Sequence, residues 1–241
     1  MENLIVANWK MNPSTKKEAV EIFKGIKNGV GDVKSEVVVC PPYVHIDIAT
    51  SDVAIKLGAQ NCFWEDKGAF TGEISAAMLK DLGVKYVIIG HSERRKYFAE
   101  TDEIINKKIK KALEVGLKVI FCIGETAEER DAGKKNEILE HQLKIGLKEI
   151  ENWKLIIENL VIAYEPVWAI GTGNNCDTTE AKEALEFIRK NIPAEVRILY
   201  GGSVKSENSG AYIKEAGYSG LLVGGASLKT DEFIKIVKSA E

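Results

Sequence analysis

Short apolar runs alternate with longer amphipathic segments from one end of the chain to the other. The runs are rich in Val, Ile and Leu and lack a strict apolar–polar alternation, which is typical of parallel strands buried on both faces. We therefore predict eight strands, at Leu4–Asn8, Glu36–Cys40, Ala54–Gln60, Tyr86–Gly90, Lys118–Ile123, Val161–Glu165, Arg197–Gly201 and Gly220–Val223.

The segments between these runs have the periodicity of amphipathic helices. Lys16–Gly25 and Thr179–Lys190 each place their apolar side chains on one face. Asn12 before Pro13 predicts a helix start by N-cap and first-turn chemistry. Asp177 has the same N-cap chemistry ahead of the later helix. The chain thus repeats strand and helix in turn.

Eight strand–helix units in 241 residues predict an α/β protein with one (β/α)₈ barrel, a TIM barrel, as a single domain over residues 1–241. The competing fold is an open doubly wound sheet, which usually has fewer strands and carries a glycine-rich fingerprint after the first one. Here the first strand leads into Asn8-Trp9-Lys10, without a glycine. No linker or shift in composition divides the chain.

Composition limits the possible partners. Apolar residues make up 45% of the chain, charged residues 29%, and the net charge is −3 without a basic stripe, so we expect no nucleic-acid partner. No run approaches the roughly 20 apolar residues of a membrane span, so we expect no membrane partner. The amino terminus lacks the pattern of a secretory signal, and we expect a cytoplasmic protein.

Cysteine and histidine spacing gives no sign of a metal site. The four cysteines are far apart, and three lie in or beside apolar runs, where buried reduced thiols are expected. The histidines offer no matching ligand spacing, so we predict no metal. The residues concerned are Cys40, Cys62, Cys122, Cys176, His45, His91 and His141.

The segment from Tyr164 to Gly173 is the most informative part of the chain. Glu165 ends a buried strand, and Pro166 stiffens the exit from it. An apolar stretch with Trp168 follows and is closed by two glycines, as in a hinged lid. We predict a catalytic base at Glu165 beside a lid over Pro166–Gly173; the alternative is a helix-capping glutamate in a tight turn.

The carboxyl ends of barrel strands meet at one rim, where active sites lie. Two Gly-Gly pairs close the last two predicted strands, and such loops are a frequent phosphate site in this fold. Either pair alone is equally compatible with a tight turn. The residues at the rim are Asn8, Lys10, Gln60, Asn61, His91, Gly124, Glu125, Glu165, Gly201, Gly202, Ser203, Gly224 and Gly225.

His91 lies where a short helix is predicted to begin. Ser92 has N-cap chemistry, and the partial positive charge of the helix start would keep the imidazole neutral. A neutral imidazole donates a hydrogen bond to a carbonyl; the alternative is a histidine in a polar turn. Lys10 is costly at the rim unless it meets a phosphate or a carboxylate, and Glu93 is the candidate carboxylate.

The chain resembles triosephosphate isomerases along essentially its whole length. Several distinct motifs occur in the family's order. They are Ala7–Asn12, Gly68–Glu73, Gly90–Arg95, Ala163–Gly173, Tyr200–Val204 and Val223–Leu228.

The resemblance implies that the chain interconverts dihydroxyacetone phosphate and glyceraldehyde 3-phosphate, a step of glycolysis and gluconeogenesis. Glu165 would be the base and His91 the neutral electrophile. Lys10 would balance the charge of phosphate and enediolate, and Asn8 would donate to the same oxygens. Glu93 and Ser92 would support these groups. No cofactor is implied, since only protons move.

The resemblance also implies how the substrate is enclosed. Closure of the lid would exclude water from the enediolate. The lid residues are Pro166, Val167, Trp168, Ala169, Ile170, Gly171, Thr172 and Gly173, and the phosphate would be held by backbone amides of Gly171, Ser203, Gly224 and Gly225.

A homodimer is implied by the segment Asn61–Glu73. Its aromatic side chains would be a liability on a monomer surface. In the family this loop enters the neighbouring subunit, and the residue at Thr71 lies near the partner's catalytic asparagine and lysine. Phe70 and Thr71 are the predicted contact residues.

Two features depart from the family pattern. Asn174-Asn175-Cys176 replaces the usual lysine after the lid's Gly-Thr-Gly. Asparagine tolerates positive φ, so we expect the hinge to be retained. The chain is also slightly short, which we assign to trimmed outer loops.

Two other readings of the sequence belong to different function classes. One is another phosphate-binding barrel enzyme, such as an aldolase, which needs a Schiff-base lysine at a central strand end; Lys118 starts its strand and Lys10 lies past its own. The other is a catalytically silent binding barrel, in which loss of Glu165, His91 or Lys10 would be expected. All three residues are present.

Overall fold

Eight parallel strands form a closed barrel in which each strand pairs with the next and β8 pairs with β1. The computed structural model describes residues 2–31, 33–49, 54–150, 152–171 and 176–241. The predicted barrel is confirmed, and no predicted strand end differs from the observed one by more than one residue. The strands are β1 (Leu4–Asn8), β2 (Glu36–Cys40), β3 (Ile55–Ala59), β4 (Tyr86–Ile89), β5 (Lys118–Ile123), β6 (Leu160–Tyr164), β7 (Arg197–Tyr200) and β8 (Gly220–Val223).

Helices follow the strands and surround the barrel. Among the described residues, no helix is long and apolar enough to cross a membrane. The α-helices are α1 (Lys16–Gly29), α2 (Ala76–Asp81), α3 (Ser92–Phe98), α4 (Asp102–Glu114), α5 (Ala127–Asp131), α6 (Lys135–Gly146), α7 (Trp153–Asn159), α8 (Thr178–Asn191), α9 (Ser209–Lys214) and α10 (Thr230–Ser239). Short 3₁₀ helices occur at Tyr43–Ala49, Val167–Ala169 and Gly225–Leu228.

Two helix starts tested the capping predictions. The prediction for Asn12 and Pro13 is wrong, because α1 begins after Thr15, whose side chain accepts a hydrogen bond from the backbone N–H of Glu18. Asn12 instead donates to the carbonyl of Trp9 in the turn after β1. The prediction for Asp177 is confirmed, since its carboxylate accepts from the N–H of the third residue of α8 at 2.7 Å.

Apolar side chains fill the barrel, and a second apolar layer packs between the barrel and its helices. Alternation along each strand sends successive side chains inward and outward. The inner cluster consists of Leu4, Val6, Val38, Cys40, Tyr86, Ile88, Ile120, Cys122, Val161, Ala163, Leu199 and Leu222.

A charged cluster closes the barrel at the amino ends of the strands. The carboxylate of Glu36 accepts hydrogen bonds from Lys56 at 2.5 Å, Tyr86 at 2.6 Å and Arg197 at 2.7 Å. Burial alone would raise the pKa of Glu36, but these hydrogen bonds outweigh it and lower the pKa to about 2. The cluster therefore stabilises the fold only while Glu36 is ionised.

We expect Glu36→Gln to lower the free energy of unfolding at pH 7 by about 3 kcal/mol, because two cations lose their anion. A folded-state pKa below the unfolded one gives stability that is present above pH 4.5 and lost as the pH falls towards 2. The difference between wild type and variant should therefore shrink over that range. Denaturant unfolding at several pH values measures it, with Glu158→Gln on the exposed surface of α7 as control; a constant difference would contradict the assignment.

Candidate active site

A cavity of about 390 Å³ opens at the carboxyl ends of the strands. Its walls contain eleven of the residues predicted for the rim and the lid, namely Asn8, Lys10, His91, Glu165, Ile170, Gly171, Gly201, Gly202, Ser203, Gly224 and Gly225. Lys205, Lys229 and Glu232 also line it and were not predicted. They lie beyond the strand ends, on loops and a helix, where the sequence carried no positional signal.

Glu165 is the first residue after β6, and 2% of it is exposed. Its backbone N–H donates to the carbonyl of Ile123 at 2.7 Å, which ties it to the neighbouring strand. One carboxylate oxygen accepts from the backbone N–H of Ser92 at 3.0 Å, and the other lies 3.1 Å from Nε2 of His91. The carboxylate is thus shielded from water and oriented by the Ser92 amide and the His91 ring.

His91 caps helix α3, and the prediction that Ser92 is the cap is wrong. The backbone N–H of Glu93 donates to Nδ1 of His91 at 3.2 Å, so this nitrogen carries a lone pair. The ring is then neutral with its proton on Nε2, which faces Glu165. The imidazole ring takes the capping role because it lies one residue before the helix, whereas Ser92 is already the first helical residue.

Lys10 has a left-handed backbone conformation, with φ of 54°. Such strain costs on the order of 1–3 kcal/mol and persists only where neighbours enforce it. Asn8 accepts from the Lys10 N–H at 3.1 Å, and Gln60 donates to the Lys10 carbonyl at 2.8 Å. The ammonium group lies 2.6 Å from Glu93, the predicted partner. Hydrogen bonds at its backbone N–H and carbonyl, and the ion pair of its side chain, therefore hold Lys10 in place.

At two glycines of the rim, the lack of a side chain lets a neighbouring residue lie close to the backbone. A Cβ at Gly124 would lie 1.8 Å from the carbonyl oxygen of Glu165, and one at Gly224 would lie 3.2 Å from Cε of Lys10. No side chain fits at Gly124 without moving the backbone of Glu165. The absence of a side chain at both positions thus helps to place the two charged groups.

The first part of the predicted lid packs against Glu125. This buried carboxylate follows β5 and accepts from the hydroxyl of Tyr164 at 3.0 Å and from Nε1 of Trp168 at 2.8 Å. Burial raises its pKa, and the hydrogen bonds from Trp168 and Tyr164 act in the opposite direction. The sequence placed Glu125 at the rim without a role. Thr172 and Gly173, with Asn174 and Asn175, lie outside the described residues.

The predicted contact loop is folded on itself, and its residues 65–73 are exposed. Phe63 donates through its backbone to the Ile74 carbonyl at 2.8 Å, and its ring lies 4.8 Å from that of Phe70. Phe70 and Thr71 are among the exposed residues. Other large apolar side chains are exposed as well, among them Met11, Val44, Tyr97 and Phe98.

Fold and site together define a (β/α)₈ barrel whose strand-end cavity brings together a buried carboxylate, an imidazole and a lysine, which is the arrangement of a barrel enzyme. The family model for triosephosphate isomerase matches residues 3–240. Triosephosphate isomerases from Clostridium botulinum strain Langeland and Dictyoglomus thermophilum are 50% and 49% identical to the chain, over 97% and 98% of it and 98% of each relative. One from Thermoanaerobacter pseudethanolicus is 47% identical over 97% of the chain. The chain belongs to the triosephosphate isomerase family.

Proposed function

We propose that the chain interconverts dihydroxyacetone phosphate and D-glyceraldehyde 3-phosphate by proton transfer through an enediol intermediate. The observation that carries this proposal is the buried Glu165 carboxylate, which lies 3.1 Å from Nε2 of His91 in the cavity that also contains Lys10. Family membership supports the same reaction.

The two protein groups divide the proton transfers between carbon and oxygen. Glu165 removes a proton from the carbon next to the carbonyl and returns it to the adjacent carbon. His91 donates its Nε2 proton to the carbonyl oxygen and recovers a proton from the neighbouring hydroxyl. The observed contact between Nε2 and Glu165 must open for this, so the substrate oxygen takes the place of the carboxylate at His91.

Other residues of the rim stabilise the developing negative charge and bind the phosphate. Lys10 and Asn8 stabilise the negative charge that develops on the enediolate oxygens, and Glu93 keeps the lysine in place. The phosphate is held by backbone amides of Gly171, Ser203, Gly224 and Gly225, which line the same cavity. No cofactor takes part, since the reaction moves protons only.

A coupled assay tests the reaction. Glyceraldehyde 3-phosphate is supplied, and glycerol-3-phosphate dehydrogenase reports dihydroxyacetone phosphate by oxidation of NADH. Rapid oxidation that depends on the chain is expected. An aldolase given this single triose would not produce the signal at a comparable rate, and a silent binding barrel would give none.

We expect a phosphoglycolate-type inhibitor to order the lid. Val167, Trp168 and Ile170 are only partly buried in the structure, and they gain further burial when an anion beneath the stretch favours closure. Binding should change the fluorescence of Trp168 and protect the amides of Ala169 and Ile170 from hydrogen exchange. The same measurement on Trp168→Phe gives the fluorescence of the other tryptophans, which is subtracted from the wild-type signal. Binding that leaves both signals unchanged would rule out the lid.

The enzyme acts as a homodimer in this proposal. The support is the loop in which Phe70 and Thr71 are exposed, together with other exposed large side chains, of which Met11 is 92% and Tyr97 is 67% exposed. Large exposed apolar side chains on one chain favour burial against a second copy. We also place the enzyme in the cytoplasm, which fits its four buried free cysteines.

Deleting Gly68–Thr71 and bridging the ends should yield a monomer with sharply reduced activity. The loop would no longer pack beside Asn8 and Lys10 of the partner, and a site held about 1 Å too loosely loses much of its preorganisation. Sedimentation and the coupled assay measure both effects. A wild type that is monomeric at micromolar concentration and fully active would contradict the dimer.

A further inference from the structure

Arg130 contacts the lid although it lies outside the catalytic cavity. Its guanidinium carbon is 3.9 Å from the centre of the Trp168 ring. The same guanidinium forms a two-pronged ion pair with Glu180, with N–O distances of 2.9 and 3.1 Å. A planar cation over an indole face is attracted by the electrons of the ring.

The indole is therefore held at two different places. Its N–H edge donates to the Glu125 carboxylate at 2.8 Å, and its face carries Arg130. The polar edge meets an anion and the electron-rich face meets a cation, as the charge distribution of the ring favours. Glu125 and Arg130 are five residues apart, on the loop after β5 and on α5, so one segment supplies both contacts.

The segment that supplies these contacts is itself anchored. Thr126 and Glu129 form a reciprocal capping box at the start of α5. Glu180 lies in the first turn of α8, where its N–H donates to the cap Asp177 at 2.7 Å. The ion pair thus joins the helix that follows Glu125 to the helix that follows the lid.

We infer that Arg130 is a positioning residue that holds Trp168 against α5 and opposes closure of the lid. This inference rests on the proposed function. Ile170 and Gly171 line the cavity, whereas Trp168 lies against Arg130 and Glu125 outside it. A lid that moves further over the cavity would therefore draw the indole away from both contacts. Arg130 does not line the cavity, so its contact with Trp168 is the route by which it would affect binding there.

The test is the affinity for phosphoglycolate, measured by titration calorimetry, together with KM and kcat. Arg130→Met keeps most of the side-chain bulk and removes the charge. We expect its Kd for phosphoglycolate and its KM to fall roughly two- to fivefold, the range of an exposed cation–aromatic contact. Arg130→Lys retains a cation and should restore values close to those of the wild type.

Two further variants distinguish an effect on the lid from a general loss of stability. Glu180→Gln frees Arg130 from its anchor and should shift Kd in the same direction by a smaller factor, which also serves if Arg130→Met does not fold. Lys110→Met removes an exposed ion pair of the same 2.9 Å length with Glu149, away from the lid, and should leave Kd and KM unchanged.

The outcomes separate this inference from the proposed function. Unchanged or weaker phosphoglycolate binding in folded Arg130→Met and Glu180→Gln, with an active wild type, overturns the role of Arg130. An equal shift in Lys110→Met overturns it too. A wild type without isomerase activity instead overturns the proposed function.

Discussion

Replacing Glu165 with aspartate is expected to lower kcat by about 10²-fold while the barrel remains folded. The shorter side chain withdraws the carboxylate by about 1 Å from the position set by Ser92 and His91. The backbone of residue 165 is tied to Ile123 and packed against Gly124, so the main chain cannot advance to compensate. Steady-state kinetics in the coupled assay measures the loss, and circular dichroism verifies the fold.

A matched control is Glu158→Asp, on the exposed surface of α7 just before the same strand. It makes the same chemical change and should leave kcat at the wild-type value. If Glu165→Asp retained full activity with an unchanged spectrum, the base would have to be another group.

Replacing Lys10 with methionine should lower kcat/KM by about 10³-fold, because a fixed positive charge near the developing enediolate is lost. Methionine keeps much of the side-chain length, so the packing beside Gly224 is largely preserved. The affinity for phosphoglycolate should fall as well, since this anion uses the same charge. Kinetics and calorimetry on the purified variant measure the two losses.

Glu93→Gln separates the charge of Lys10 from its positioning. The ammonium remains but loses its 2.6 Å partner, so we expect a much smaller fall in kcat/KM than in Lys10→Met. Equal losses in the two variants would mean that Lys10 acts through its pair with Glu93 and not directly on the substrate.

The strands were predictable because burial on both faces leaves continuous apolar runs that few other structures require. The predictions that proved wrong were those of the N-cap residues of α1 and α3. Near α1 and α3, several residues with capping chemistry lie within a few positions of one another, and the backbone decides which of them caps. Thr15 took the place of Asn12 at α1, and His91 took that of Ser92 at α3.

The candidate site was predictable in its membership but not in its supporting contacts. A closed parallel barrel brings all strand ends to one rim, so polar residues there meet regardless of their separation in sequence. The role of Gln60 at the Lys10 carbonyl and the contact of Arg130 with Trp168 depend on loop geometry, which no periodicity records. The catalytic roles themselves remain predictions, and so does the effect of Asn174 and Asn175 on the lid.

The Glu36 cluster lies at the opposite mouth of the barrel from the reacting groups. Strands of five residues separate the two mouths by about 15 Å. An apolar interior fills the space between them, so among the described residues the hydrogen bonds and ion pairs of Glu36 do not reach the reacting groups. Thermal adaptation can therefore alter Glu36, Lys56 or Arg197 without disturbing turnover, so a lineage is free to change its temperature range and its catalytic chemistry independently.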